Sequence, residues 1–286
     1  MSGSGITVSD IAPDVISQDE AIEQDHRWRV LVWGDPGAGK THFLYSSPDP
    51  LVIIDTEKKA QDIAHKFDDK DVFLFQPDNF EEALEVLHQG LDVLDQYRTE
   101  KGVIGTIGVD SMTDMWEWAM RAYARQYYPT TENFADAKSQ FTTGFGKGES
   151  DWKIIKEMHN GQFRELMVES PYNLCWTAMA QDDYDAAMEG HQDRQKPAGE
   201  KKNEYQADTI IHIDQDDQGV PVASLEKCGL VKNRFTGLVY PTFDQVADVI
   251  NDIDAAESDP TGVERDSVTD YDVEIVTGNP RYMSGQ

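Results

Sequence analysis

Cysteine is nearly absent: the 286 residues carry two, Cys175 and Cys228, each inside an apolar stretch. Two separated thiols in buried-strand contexts exclude a disulfide framework or a cysteine metal site, and a cytoplasmic setting is expected. No stretch of about 18 consecutive apolar residues occurs, which excludes a helical membrane span. The first 25 residues have neither a basic nor an apolar region, so no secretory leader is expected there. Positive charge is scarce too. Lys and Arg number 25 against 54 Asp and Glu, for a formal net charge of −29. The acidic residues run along the whole chain rather than forming one arm. Such an excess favours solubility, repels itself and is a device of halophilic proteins. Molar salt shortens the Debye length to about 3 Å and screens much of that repulsion. An ordinary acidic protein shares the composition.

What is present is a rhythm of short apolar runs and longer amphipathic stretches, the pattern of an α/β domain with a mainly parallel sheet flanked by helices. Strands are expected at Arg29–Trp33, Leu51–Asp55, Val72–Phe75, Val103–Val109, Tyr172–Met179, Thr209–Ile213 and Val222–Lys227. Phe80–Arg98 places Phe80, Ala83, Leu84, Leu87, Leu91 and Leu94 at helical spacing. Helices are also expected over Met112–Tyr128, ending before Pro129, and over Asp151–Glu169, stopped at Ser170-Pro171. Residues 1–25 read as a flexible lead-in and 26–243 as the core, with mobile loops near 129–150 and 182–206. Residues 244–286 carry eleven acidic residues against Arg265 and Arg281, and read as a mostly disordered tail after a short helix near Gln245–Ile253.

Gly34-Asp35-Pro36-Gly37-Ala38-Gly39-Lys40-Thr41 matches G-x-x-x-x-G-K-[ST] at every fixed position, between an apolar strand and a helix-compatible stretch that starts with His42. Glycines let backbone N–H groups turn inward around a phosphate without a Cβ in the way. Lys40 neutralises β- and γ-phosphate charge, and the Thr41 hydroxyl suits Mg²⁺. The expected ligands are therefore ATP and Mg²⁺. The metal also needs an acid on a neighbouring strand. Asp110 closes the run Val103–Val109 and is that acid, with Ser111 as a helix cap beside it.

The residue after the acid is informative. AAA+ machines and many helicases carry a Glu there as catalytic base, and this chain has Ser111. A carboxylate stands instead at Glu57, just past Leu51-Val-Ile-Ile-Asp55-Thr56 and 17 residues after Lys40. A Glu so placed can orient and deprotonate an attacking water. Strand-Asp55-Thr56-Glu57 together with Asp110-Ser111 resembles the RecA-like P-loop ATPases, where the corresponding Glu is the base. Tyr172–Gln181 resembles their sensor strand, which implies that Gln181, or Thr177, feels the γ-phosphate. Lys232-Asn-Arg234 resembles their Lys-x-Arg hairpin, whose cations reach a neighbouring subunit's nucleotide, so a ring or filament is implied. Over roughly residues 28–243 the layout is similar to phage and archaeal-virus nucleotide-binding ATPases of the single-strand-annealing type. That resemblance implies ATP-dependent work on single-stranded DNA in recombination or replication, beside a single-strand-binding protein and, for a virus, in the host cytoplasm.

DNA loops in RecA-like proteins follow the metal-acid strand and the sensor strand. Here those places offer Phe141, Phe145 and Lys147, then Arg194, Lys196, Lys201 and Lys202. Stacking and phosphate contacts are what single-strand binding uses. A KaiC-like switch acting on a protein partner without DNA, and an assembly protein that uses ATP only to oligomerise, share the same site residues. No N-K-x-D motif follows the loop, which argues against GTP.

Overall fold

The computed structural model describes residues 27–142, 150–183, 188, 194–258, 271 and 273–276. Its first strand, β1 (Arg29–Gly34), leads into α1 (Lys40–Tyr45), β2 (Leu51–Asp55), β3 (Val72–Phe75) and α2 (Phe80–Lys101). Then come β4 (Thr106–Asp110), α3 (Met112–Tyr127) and α4 (Phe134–Ser139). One long helical rod follows, α5 (Asp151–Glu157), a π-helical segment (Met158–Arg164) and α6 (Glu165–Glu169). The chain continues as β5 (Asn173–Asp182), β6 (Gln195–Pro197), α7 (Lys202–Gln206), β7 (Thr209–Gln215), β8 (Pro221–Cys228), β9 (Arg234–Val239), α8 (Phe243–Glu257) and β10 (Glu274–Val276).

The sheet order is β10-β9-β8-β7-β1-β5-β4-β2-β3, and β6 pairs with the outer end of β5. From β7 to β3 every neighbour is parallel, whereas β8, β9 and β10 extend one side antiparallel. The expected fold class is the one observed. Continuous apolar runs such as Leu-Val-Ile-Ile suit strands covered on both faces, and β2 and β4 are buried throughout. Alternate residues divide between two cores. Leu31, Trp33, Val52 and Ile54 pack with α2, α3 and the rod, while Val30, Val32, Leu51 and Ile53 pack with Phe43, Leu44 and α8.

Local chemistry sets the helix ends. The Asn79 side chain accepts from Glu82 N–H at 3.0 Å, and Glu82 reaches back to Asp78 N–H at 2.9 Å. Gly102, at φ 69°, closes α2 with a left-handed residue.

The short helix expected near Gln245–Ile253 is α8, and it packs on the core: Phe243, Val246, Val249, Ile250 and Ile253 are buried, and Thr242 with Gln245 forms a capping box. Part of the expected tail, Glu274–Val276, pairs with β9; residues 259–270, 272 and 277–286 lie outside the described residues, as do 1–26. The polar stretches 129–150 and 182–206 contain α4, β6 and α7, where Asn133 caps α4 and β6 takes backbone bonds from β5.

Candidate nucleotide site

The carboxyl edge of the parallel sheet gathers the chemistry. The Gly34–Thr41 loop follows β1, Asp55-Thr56-Glu57 ends β2, Asp110-Ser111 ends β4, and Thr177 lies on β5 between them. The candidate metal acid, Asp110, is expected on a strand neighbouring the loop strand. It is one strand further away: β5 separates β1 from β4, and Glu57 comes from the strand beyond. Strand order is a tertiary property, and the intervening strand fills the gap with a hydroxyl.

The loop has positive φ at Gly34, Gly37 and Gly39. At Gly34 a Cβ would lie 2.0 Å from the Ile213 carbonyl oxygen of β7, so no side chain fits. Gly39 takes the left-handed conformation that turns the chain into α1. Strand β7 and its turn brace the loop further: Gln215 Nε2 donates to Gly37 O at 3.0 Å, and Pro221 lies where a Gly39 side chain would project. Ala38 is buried, while Asp35, Pro36 and Gly37 are exposed.

Lys40 is buried, its Nζ donating to Gly34 O at 2.9 Å and Asp35 O at 2.8 Å. Burial lowers its pKa, and Asp110, Glu57 and Asp35 oppose that. Thr41 Oγ1 donates to Asp110 Oδ2 at 2.7 Å, and Thr177 Oγ1 donates to Asp110 Oδ1. Burial raises the Asp110 carboxyl above its ordinary range despite those two bonds. Its peptide bond to Ser111 is cis. His42 is exposed, its Nε2 3.1 Å from Lys66 Nζ, and burial followed by Lys66 lowers its pKa.

This donor set fits Mg²⁺. One hydroxyl and one carboxylate, both hard oxygen ligands, converge at the loop's threonine, and Mg²⁺ completes such a set with phosphate and water oxygens. Among the described residues no group of three or more His, Cys, Asp and Glu could hold a metal alone, so Thr41 and Asp110 would hold it together with a nucleotide. When bound, ATP with Mg²⁺ supplies the phosphoanhydride bond and the negative charge that the loop amides and Lys40 are arranged to meet.

The chain matches the family model described as AAA domain over residues 26–236. The protein belongs to the AAA domain family. This AAA domain is a nucleotide-binding P-loop protein of ATPase type, and no curated protein matches it. Among its described residues no helix is long and apolar enough to cross a membrane.

The remaining sequence candidates fall into separate places. In the AAA domain Glu57 is mostly covered and pairs with Lys59 at 2.9 Å, within electrostatic reach of Lys40. Gln181 sits on the β5–β6 hairpin, its Nε2 donating to Pro197 O at 3.1 Å; Thr177, not Gln181, touches the metal acid. Lys232 and Arg234 lie at the opposite edge of the sheet from their own loop. Along β8, Pro221 pairs beside Gln215 at the loop edge and Cys228 beside Thr209 at the far one, about 24 Å away at ~3.4 Å per residue. Arg234 is folded onto its own hairpin: Nε donates to Glu226 O, and Nη1 faces the carbonyls of Val231, Lys232 and Asn233. Burial lowers its pKa.

Of the expected DNA residues, Phe141 is a correction. It is 8 % exposed, with its ring 5.4–5.6 Å from those of Tyr123, Tyr128 and Trp152, so it is core and not a stacking platform. Phe145 and Lys147 lie outside the described residues. Lys196 pairs with Asp183 at 2.7 Å and Arg194 lies 3.9 Å from the same carboxylate. Lys202 instead lines a cavity of about 370 Å³ with Ser150, Trp152, Lys153, Lys156 and Asn160. Glu157 and Glu165 stand at its walls as well.

Sequence reasoning passed over Asp114. Its carboxylate meets Thr56 and Ser111 at 3.0 and 3.2 Å, and the spacing Ser111-x-x-Asp114 was a readable capping signal.

Proposed function

We propose that the protein is a Mg²⁺-dependent RecA-like ATPase that acts on single-stranded DNA. The observation that carries the DNA part is the lysine-lined cavity. In a chain of net charge −29, Lys153 and Lys156 from α5 and Lys202 from α7 converge with an indole, a hydroxyl and an amide, and outnumber the carboxylates of Glu157 and Glu165 beside them. Cationic and aromatic groups together are what a single strand needs, and the volume suits one nucleotide unit. The cavity's Lys202 segment also reaches the nucleotide side: Ala198 O accepts from Thr113 Oγ1 at 3.1 Å, three residues after Asp110. DNA seated there has a physical route to the ATPase site.

In this reading Glu57 activates water, Lys40 and the loop amides carry phosphate charge, and Thr177 or Gln181 reports the γ-phosphate. Lys232 and Arg234 act on a neighbouring subunit in a ring or filament, and the setting is cytoplasmic recombination or replication, with a virus of a halophilic host as the source. The test is ATP turnover with and without oligo-dT across a salt series. Stimulation is expected, and it should fall in Lys153→Glu, Lys156→Glu and Lys202→Glu. Each lost phosphate contact should lower the slope of log affinity against log salt by about 0.7. Turnover indifferent to oligo-dT at every salt would instead favour a switch acting on a protein partner, a reading supported by the acidity of the surface.

A further inference from the structure

The two strand ends that carry the acidic residues of the site are tied together at one side chain. Parallel pairing of β2 with β4 brings Asp55 opposite Asp110. Beyond that pair the ladder continues for one more bond, from Thr56 N–H to Asp110 O at 2.7 Å. The Thr56 hydroxyl then accepts from Ser111 N–H at 2.8 Å and lies 3.0 Å from both Asp110 O and Asp114 Oδ2. It has one hydrogen to give. Asp110 O already takes the Thr56 amide, and a carboxylate is the stronger acceptor, so the hydrogen goes to Asp114 Oδ2, which also takes the Ser111 hydroxyl. Asp114 is held in turn by Ser111, whose Oγ lies 3.3 Å from the Asp114 amide and 3.2 Å from its carboxylate.

Thr56 is 8 % exposed and directly precedes Glu57. Without the latch, the chain before Glu57 would hang on the single Thr56 N–H bond to Asp110 O, and the Glu57 carboxylate on Lys59, a side chain 72 % exposed and free to exchange with water. A contact of that kind fixes geometry poorly. Mispositioning of a reacting group by about 1 Å costs on the order of a hundredfold in rate.

We propose that Thr56 and Asp114 are positioning residues, a hydroxyl–carboxylate latch that sets Glu57 at a fixed distance from the Thr41–Asp110 pair. The proposal rests on Glu57 being the group that activates water. Neither residue belongs to the Gly34–Thr41 loop or to the Thr41–Asp110 pair, so the latch governs turnover and leaves affinity alone.

The test measures kcat, affinity for a fluorescent ADP analogue and thermal midpoint in Thr56→Val, Thr56→Ser, Asp114→Asn, Glu57→Gln and the Thr56→Val/Glu57→Gln double variant. Thr56→Val keeps the shape and removes the hydroxyl; kcat should fall by about ten- to a hundredfold with ADP affinity within twofold. Thr56→Ser should restore most of the rate, and Asp114→Asn should fall between the two. The double variant should be no slower than Glu57→Gln alone, because the latch acts through Glu57. A further loss in the double variant, or a parallel loss of ADP affinity, overturns the latch and makes Thr56 merely structural. A Glu57→Gln variant with unchanged kcat removes the reading of Glu57 itself, and the latch with it.

Discussion

Truncating Arg234 separates its hold on the β8–β9 turn from the trans role proposed for it. The guanidinium holds the β8–β9 turn by donating from Nε to Glu226 O at 3.1 Å and from Nη1 toward three further carbonyls at 2.9–3.0 Å. In Arg234→Ala the exposed turn carbonyls regain water, while those covered by the hairpin do not. A hydrogen bond to a charged group contributes about 1.5–3 kcal/mol, and partial exposure together with sharing of two Nη1 hydrogens among three acceptors reduces the sum. A net loss of about 2–3 kcal/mol is expected. At roughly 2–4 °C per kcal/mol for a chain of this size, the thermal midpoint should fall by about 5–10 °C. Differential scanning fluorimetry of the nucleotide-free protein reads this directly. Turnover measured well below the midpoint then tests the proposed trans role. Arg234→Ala and Lys40→Ala should each be inactive alone, whereas a mixture should recover activity, since some interfaces would join an intact loop to an intact arginine. A midpoint within 1 °C of the parent would refute the pinning argument. A lowered midpoint with full activity in Arg234→Ala would leave the arginine with no part in catalysis.

Two further substitutions follow from the cores and the acid. Burial holds the Asp110 carboxyl above its ordinary range, so folding favours its protonated form, and stability is lost as pH rises from the ordinary carboxylate pKa through the raised one. Asp110→Asn should therefore raise the nucleotide-free midpoint at pH 7 while abolishing the tightening of ATP binding by Mg²⁺, both read by thermal shift with and without EDTA. Phe141→Ala should cost about 3–5 kcal/mol as a cavity mutation, visible as a lower urea midpoint, with DNA affinity unchanged at temperatures where the protein stays folded.

The nucleotide loop was legible because its signal is local: each fixed residue of Gly34–Thr41 meets a need set by its immediate neighbours. Strands such as Leu51–Asp55 were legible because burial on both faces leaves continuous apolar runs. Strand β9 was not, since Arg234, Thr236 and Gly237 interrupt its apolar residues and its pairing with β8 passes through a bulge. The site's wiring depends on residues far apart in the chain, such as Thr56 with Asp114 and Thr41 with Asp110 and Thr177. No periodicity records such meetings. Phe141 misled for the opposite reason, because the glycines that follow it look like a loop, whereas its ring turns back into an aromatic cluster.

Strand β8 has one end against the nucleotide loop and the other under the cationic hairpin. Pro221 lies beside Gly39, and Glu226 O holds Arg234. A strand bonded along both edges neither stretches nor buckles readily, so it behaves as a strut. The loop contact at Pro221 and the far end of the strand are about 24 Å apart at ~3.4 Å per residue. A single extra residue inserted in β8 would therefore shift the Arg234 hairpin against the nucleotide loop by about 3.4 Å.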